Sequence, residues 1–241
     1  MTVRWATDDN ELGALAAAVL VAALKAKPAL TLALPSGRTP LGLYARLRVL
    51  HARGEWAPGA LHAFALDEYV GLAADDAESF SAYFRRELGE PLGLSGTQLN
   101  LLDGQATDPA AAVAAHEAAI ERLGGLDLAV LGLGANGHVA FNEPGSATDS
   151  PARVVRLSDD TVRRLTAGPF AARPAPAEGM TLGLRCLVKA RAVLLLVSGA
   201  DKAPALARLL AGVPSPDWPV TAFIGHPDLT VIATESLRPP P

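Results

Sequence analysis

Leu126-Asp-Leu-Ala-Val-Leu131, running straight into Gly132-Leu-Gly-Ala-Asn-Gly-His-Val-Ala-Phe-Asn-Glu-Pro144, is the stretch whose reading decides the fold. Its first six positions form an almost unbroken apolar run of strand length. A strand that is apolar at successive rather than alternate positions has to be covered on both faces. Similar runs recur at residues 30–34, 61–66, 192–197 and 229–233, and segments with helical spacing lie between them at 11–25, 41–52, 79–88, 109–123 and 202–210. Strand and helix therefore alternate, and parallel neighbours need such crossover connections. The expected fold is α/β, a single doubly wound, mostly parallel sheet with helices on both faces, Rossmann-like in layout and filling residues 1–241 as one domain. The pattern breaks between Gly168 and Gly179, where Pro169, Pro174 and Pro176 fall, so a mobile flap is expected at about 158–180.

Composition narrows the function classes. Half of the 241 residues are hydrophobic and 19% are charged, which fits a globular domain and not a disordered chain. A net charge of −4 argues against a surface built for the phosphate backbone, so no nucleic-acid partner is expected. The apolar segment 12–24 is shorter than the roughly 20 residues that cross a bilayer, and Asp8, Asp9 and Glu11 stand where a signal peptide would be basic. No membrane association follows, and the expected location is the cytoplasm. The single cysteine, Cys186, cannot form an internal disulfide.

In open parallel sheets ligands bind beyond the carboxyl ends of the strands, and here those ends are polar. Pro35-Ser36-Gly37-Arg38-Thr39-Pro40 joins a strand to a helix; free N–H groups, hydroxyls and a small residue make either an anion site, most often for phosphate, or a simple Gly-containing turn. The Walker spacing is absent. Lys202 opens the helix after the strand at 192–197 and reads either as a point charge for the same anion or as a solvated lysine. Asp67 follows its strand directly, as a proton acceptor whose pKa burial would raise or as a brace for the loop. Gly132, Gly134 and Gly137 match G-x-G-x-x-G, but the loop runs into His138 and a turn at Pro144-Gly145 instead of a helix, so no nicotinamide cofactor is expected. The same loop concentrates Asn136, His138, Asn142 and Glu143, with glycines that let it fold tightly around a ligand. A histidine beside a carboxylate suits acid–base chemistry, the carboxylate fixing its tautomer and raising its basicity; a core histidine is the alternative. His138 has no partner at metal-ligand spacing, and no metal is expected.

Taken in order, Pro-Ser-Gly-Arg-Thr-Pro, Leu66-Asp-Glu-Tyr-Val-Gly71, Asn136-Gly-His-Val-Ala-Phe-Asn-Glu-Pro144 and Lys202 resemble the glucosamine-6-phosphate deaminase family, whose relatives of the same fold are the 6-phosphogluconolactonases. The similarity runs from about residue 30 to 233. In the lactonases the Gly-His pair is typically followed by Thr-Ala-Ser-Leu-Phe-Pro, whereas Phe141-Asn142-Glu143-Pro144 resembles the deaminase form. The resemblance implies conversion of glucosamine 6-phosphate and water to fructose 6-phosphate and ammonia, with a phosphorylated amino sugar as partner and no organic cofactor or metal. It implies that His138, supported by Glu143 and Asn136, opens the sugar ring, that Asp67 moves a proton from C2 to C1, and that Ser36, Gly37, Thr39 and Lys202 hold the phosphate; Arg38, where the family often has Gly or Ser, departs from that pattern and is expected to add charge there.

Two departures stand out. Many deaminases have Asp in place of Asn136, and an amide orients imidazole but lends it no charge. The family's flap segment Asn-Ser-Arg-Phe-Phe, whose arginine binds phosphate, is replaced around Arg163-Arg164-Leu165 to Phe170, leaving Arg164 or Arg173 as substitutes. The competing readings are lactone hydrolysis and a sugar-phosphate sensor without turnover. Longer deaminases of the family form hexamers activated by N-acetylglucosamine 6-phosphate and carry a C-terminal extension. With only Thr234 to Pro241 after the last strand and a Pro239-Pro240-Pro241 end, a monomer or small homo-oligomer with hyperbolic kinetics is expected.

Overall fold

A computed structural model describes residues 1–239; of the tri-proline end, Pro240 and Pro241 lie outside the described residues. In chain order the elements are β1 (Thr2–Ala6), α1 (Asp9–Ala26), β2 (Thr31–Leu34), α2 (Leu41–Ala52), β3 (His62–Ala65), β4 (Asp67–Tyr69), α3 (Phe80–Phe84), α4 (Glu90–Leu92), β5 (Leu99–Asn100) and α5 (Pro109–Arg122). They continue with β6 (Leu128–Gly132), β7 (Arg153–Arg156), α6 (Asp159–Thr166), β8 (Glu178–Thr181), α7 (Leu184–Val188), β9 (Ala192–Val197), α8 (Ala203–Leu210) and β10 (Leu229–Thr234).

The main sheet has seven strands in the order β1-β10-β9-β6-β2-β3-β5. Each of its neighbouring pairs is parallel, as the continuous apolar runs require. Successive residues feed opposite cores. Ala33, Phe64, Ala129, Leu131, Val193 and Leu195 pack with α5, α7 and α8 residues such as Val113, Leu184 and Leu206. Leu32, Leu34, Ala63, Val130 and Leu194 pack with Leu12, Leu20, Leu43 and Leu47 of α1 and α2. At the amino ends of the strands the buried Asp127 carboxylate ties the layers together, accepting from Lys27 Nζ at 2.7 and 2.8 Å, from the Thr31 N–H at 2.9 Å and from Arg191 at 3.0 Å.

β2 and β6 lie side by side, yet the chain leaves them in opposite directions across the sheet, β2 toward β3 and β5, β6 toward β9 and β10. That reversal opens a crevice between their loops, where ligands bind in doubly wound folds. A second sheet, antiparallel in the order β4-β8-β7, stands over this edge and was not expected from the sequence. It includes the carboxyl side of the expected flap: residues 158–180 form α6, a run of turns, and the start of β8. Leu157, Leu165 and Phe170 pack there against Tyr69 and Phe141 in a small core of their own.

Candidate active site

The crevice is a cavity of about 990 Å³ at the carboxyl edge of the main sheet. Every strand end singled out in the sequence reaches it. Ser36, Gly37, Arg38 and Thr39 line one wall, Asp67 and Tyr69 another, Gly132, Gly134 and His138 the floor, Ser198 and Lys202 the far side, and Arg164 and Leu165 the overhang. Asn136 and Glu143 do not line it; they stand behind His138.

Asp67 is the first residue of β4, fixed by pairing with Thr181. It is 6% exposed, and its Oδ1 is buried without a hydrogen-bond partner. Burial, reinforced by the neighbouring Glu68 carboxylate, lifts its pKa to about 8. The bracing role weighed for Asp67 belongs instead to Glu68, which the sequence does not single out. Its carboxylate accepts from the backbone N–H groups of Tyr69 at 2.8 Å, Phe80 at 3.0 Å and Ser81 at 2.7 Å, docking the first turn of α3 onto β4.

His138 is oriented by a relay whose direction follows from donor chemistry. The Glu143 carboxylate only accepts, so the Asn136 Nδ2 at 2.7 Å must donate to it, which turns Asn136 Oδ1 toward His138 Nδ1, also at 2.7 Å. Nδ1 therefore carries the proton and Nε2 is left as the acceptor. Glu143 Oε1 lies 3.7 Å from Nδ1 and accepts from the Ser158 hydroxyl at 3.1 Å. Glu143 pushes the imidazole's basicity up as expected, but the net shift is downward. Burial lowers the His138 pKa, and although Glu143 opposes this, the charges of Arg164 and Lys202 add to it, so the ring is neutral near pH 7.

The glycines also shape the loop itself, besides lining the cavity at Gly132 and Gly134. A Cβ on Gly134 would fall 2.3 Å from the His138 ring, so a glycine there lets the imidazole lie against the backbone. Gly137 supplies the positive φ of +84° for the turn that brings His138 back, and Gly134 and His138 close it by an N–H to carbonyl bond of 2.9 Å. Beyond it Val139 and Asn142 form a tight bridge with Ala140 at φ +52°, and Asn142 donates to the carbonyls of Val139 at 3.0 Å and Leu182 at 2.9 Å. Asn142 is thus a structural staple to the end of β8, not a ligand-facing group.

The wall expected to face an anion carries cations. Lys202 caps α8, its Nζ held 2.8 Å from Asp201. Arg38 is exposed at the rim and its charge reaches Asp201, whose pKa is lowered first by the Lys202 bond. Of the two flap arginines considered, Arg164 lines the cavity. Arg173 does not: it is clamped to Asp76 at 2.5 and 2.7 Å and lies over the Phe170 ring at 4.5 Å.

A doubly wound sheet whose switch point joins proton-transfer groups to a cationic wall defines an α/β enzyme of the kind that works on small anionic substrates. The chain belongs to the glucosamine-6-phosphate isomerase and 6-phosphogluconolactonase family, whose model matches residues 9–231. A glucosamine-6-phosphate deaminase of Cutibacterium acnes is 39% identical over 240 residues, covering 98% of this chain and 90% of that protein. One of Beutenbergia cavernae is 38% identical over 235 residues, covering 96% and 89%. Among solved structures, a monomeric glucosamine-6-phosphate deaminase superposes with a TM-score of 0.92 at 33% identity, covering 99% of this chain and 100% of that one. A 6-phosphogluconolactonase from Trypanosoma cruzi reaches 0.79 at 23% identity, covering 98% and 95%, a likeness of fold alone.

Proposed function

We propose that this chain converts glucosamine 6-phosphate and water to fructose 6-phosphate and ammonia. The observation that carries the reading is the Asp67 carboxyl, buried, unpartnered at Oδ1 and raised in pKa, on the same cavity as a neutral imidazole and the cationic wall. A carboxylate starved of solvent is a strong base, suited to a carbon acid such as C2 of an open-chain amino sugar.

The phosphate sits against Ser36, Gly37, Arg38 and Thr39 with Lys202 and Arg164 as counter-charges. His138 opens the ring, accepting the C1 hydroxyl proton on Nε2 and returning it to the ring oxygen, while Asn136 and Glu143 hold its tautomer. Asp67 then takes the C2 proton. The electron pair of the C2–H bond enters the carbonyl system to give an enolamine, which takes a proton at C1 from Asp67 to become the C2 imine. Water adds at C2, and the C–N bond breaks to release ammonia. Lactone hydrolysis is the weaker reading because it leaves Asp67 without a proton to take, and a sensor needs neither Asp67 nor His138.

The domain acts as one unit, with 158–180 as the flap that carries Arg164 over the ligand. Among the described residues no helix is long and apolar enough to cross a membrane. The proposed setting is the cytoplasm, and the proposed assembly a monomer or small homo-oligomer with hyperbolic kinetics, a reading supported by the likeness to a monomeric deaminase. Ammonia release from glucosamine 6-phosphate, coupled to a dehydrogenase, tests the activity; no release sinks it. Velocity curves with and without N-acetylglucosamine 6-phosphate test the kinetics, and sigmoidal behaviour relieved by that effector overturns them.

A further inference from the structure

The anion-binding loop is held from behind by groups that never touch the cavity. Tyr44 of α2, fully buried, donates its hydroxyl to the Pro35 carbonyl at 2.6 Å, and Tyr83 of α3 donates to the Gly37 carbonyl at 2.7 Å. Neither tyrosine lines the cavity, whereas Ser36, Gly37 and Arg38 do. In a trans peptide the carbonyl and the following N–H point in opposite directions. A hydroxyl that draws the Gly37 carbonyl out of the cavity therefore turns the Arg38 N–H into it, and the Tyr44 bond does the same for the N–H of Ser36. Among the described residues no hydrogen bond within the chain takes up the backbone N–H of Ser36, Gly37, Arg38 or Thr39. These donors are aimed and unspent.

The geometry points to Tyr83 as a positioning residue for phosphate recognition: its hydroxyl fixes the Gly37–Arg38 peptide so that the Arg38 N–H meets the anion. The inference rests on the proposed placement of phosphate at this loop. Gly37 has a φ of +96°, and its peptide is the freest in the loop to turn over, so it is the one that most needs an external lock. Tyr83's ring is held independently of its hydroxyl, edge-on to Tyr44 at 6.2 Å and to Phe84 at 5.4 Å, with Arg86 over its face at 5.7 Å. Tyr83→Phe therefore removes the lock and leaves the packing.

The test titrates inorganic phosphate calorimetrically into the wild-type chain and into Tyr83→Phe, and measures ammonia release from glucosamine 6-phosphate by both. Loss of one neutral hydrogen bond corresponds to about three- to tenfold. The expected result is a phosphate Kd and a KM raised by that factor, with kcat within about twofold and the melting temperature nearly unchanged. An unchanged phosphate Kd, no phosphate binding by the wild type, or a fall in kcat without a change in affinity overturns the inference. If the wild type binds phosphate but releases no ammonia, the proposed activity fails alone, and the phosphate titration still decides the role of Tyr83.

Discussion

Asp67 is where the proposed chemistry and stability conflict. Asp67→Asn keeps the shape but cannot take a proton, and the expected loss in kcat is about 10²–10⁴-fold with phosphate affinity retained. A loss below about tenfold would remove Asp67 from the proton-transfer role. The same variant has a second signature. The folded pKa of about 8 lies above the ordinary 3.8, so the contribution of Asp67 to stability is fully present below pH ~4 and is lost as pH rises through about 8. The amide of the Asp67→Asn variant does not titrate, so its advantage over the wild type in thermal melts should grow from pH ~4 to ~8 and then level off. A constant difference across that range would contradict the buried, unpaired carboxyl. At His138 the relay makes a separate claim: Asn136→Asp places a charge where an amide stood, and the imidazole pKa read from its Cε1–H resonance should rise. Asn136→Ala frees the ring, and kcat should fall while phosphate binding holds.

At the scale of elements, the segment proposed as the flap packs on a small core that includes Leu165, next to Arg164 in the chain. Phe170 is 2% exposed, edge-on to Tyr69 with centroids 6.4 Å apart. Truncating a buried phenylalanine costs about 3–5 kcal/mol when the site cannot collapse. Here the loss is local, so Phe170→Ala should raise KM for the phosphorylated sugar and speed protease cleavage within 158–180, with the global melt much less affected. Equal effects on all three would mean that the segment does not behave as a separate unit. Elements like these also mark what could be read from the sequence. The strands at 30–34, 126–131, 192–197 and 229–233 were visible because both faces are buried and the runs are unbroken. β1 was missed because an edge strand with only its final Ala6 fully buried has no such run. β4, β7 and β8 were missed because three or four residues, half of them polar, carry no periodicity, and they pair with strands far away in the sequence. The cavity residues were legible because strand ends collect ligands. The back-side residues, Tyr44, Tyr83 and Glu68, were not, since nothing local tells a bracing hydroxyl or carboxylate from a packed or solvated one.

Across the whole molecule, the candidate site and the Asp127 tie occupy opposite edges of the sheet. Asp127, at the amino edge, is far from the cavity wall. Burial raises its pKa, but the Lys27, Thr31 and Arg191 partners outweigh this and the net shift is downward. Its contribution is therefore present above the ordinary carboxylate range and lost as pH falls through it. Asp127→Ala leaves the Thr31 N–H unsatisfied, at a cost of about 1–3 kcal/mol, and at roughly 2–4 °C per kcal/mol for a chain of this size the melting temperature should drop by several degrees at pH 7. The deficit should shrink as pH falls below the ordinary carboxylate range, and kcat should stay within about twofold of the wild type. A matching loss of kcat would show that the two edges are not independent.

Because Asp67 pairs with Thr181 in β8, and β8 is where residues 158–180 end, the segment proposed as the flap is joined directly to the strand that fixes the carboxyl. Loosening that pairing would hydrate Asp67 and let its pKa fall toward 3.8, so an open molecule meets its substrate with the proton already surrendered to solvent. If the proposed flap closes on the sugar, it would withdraw the water and leave the carboxylate hungry for a proton, with the C2–H as the nearest source. Basicity would then be not a fixed property of a residue but a phase of motion, strongest at the moment the ligand is enclosed.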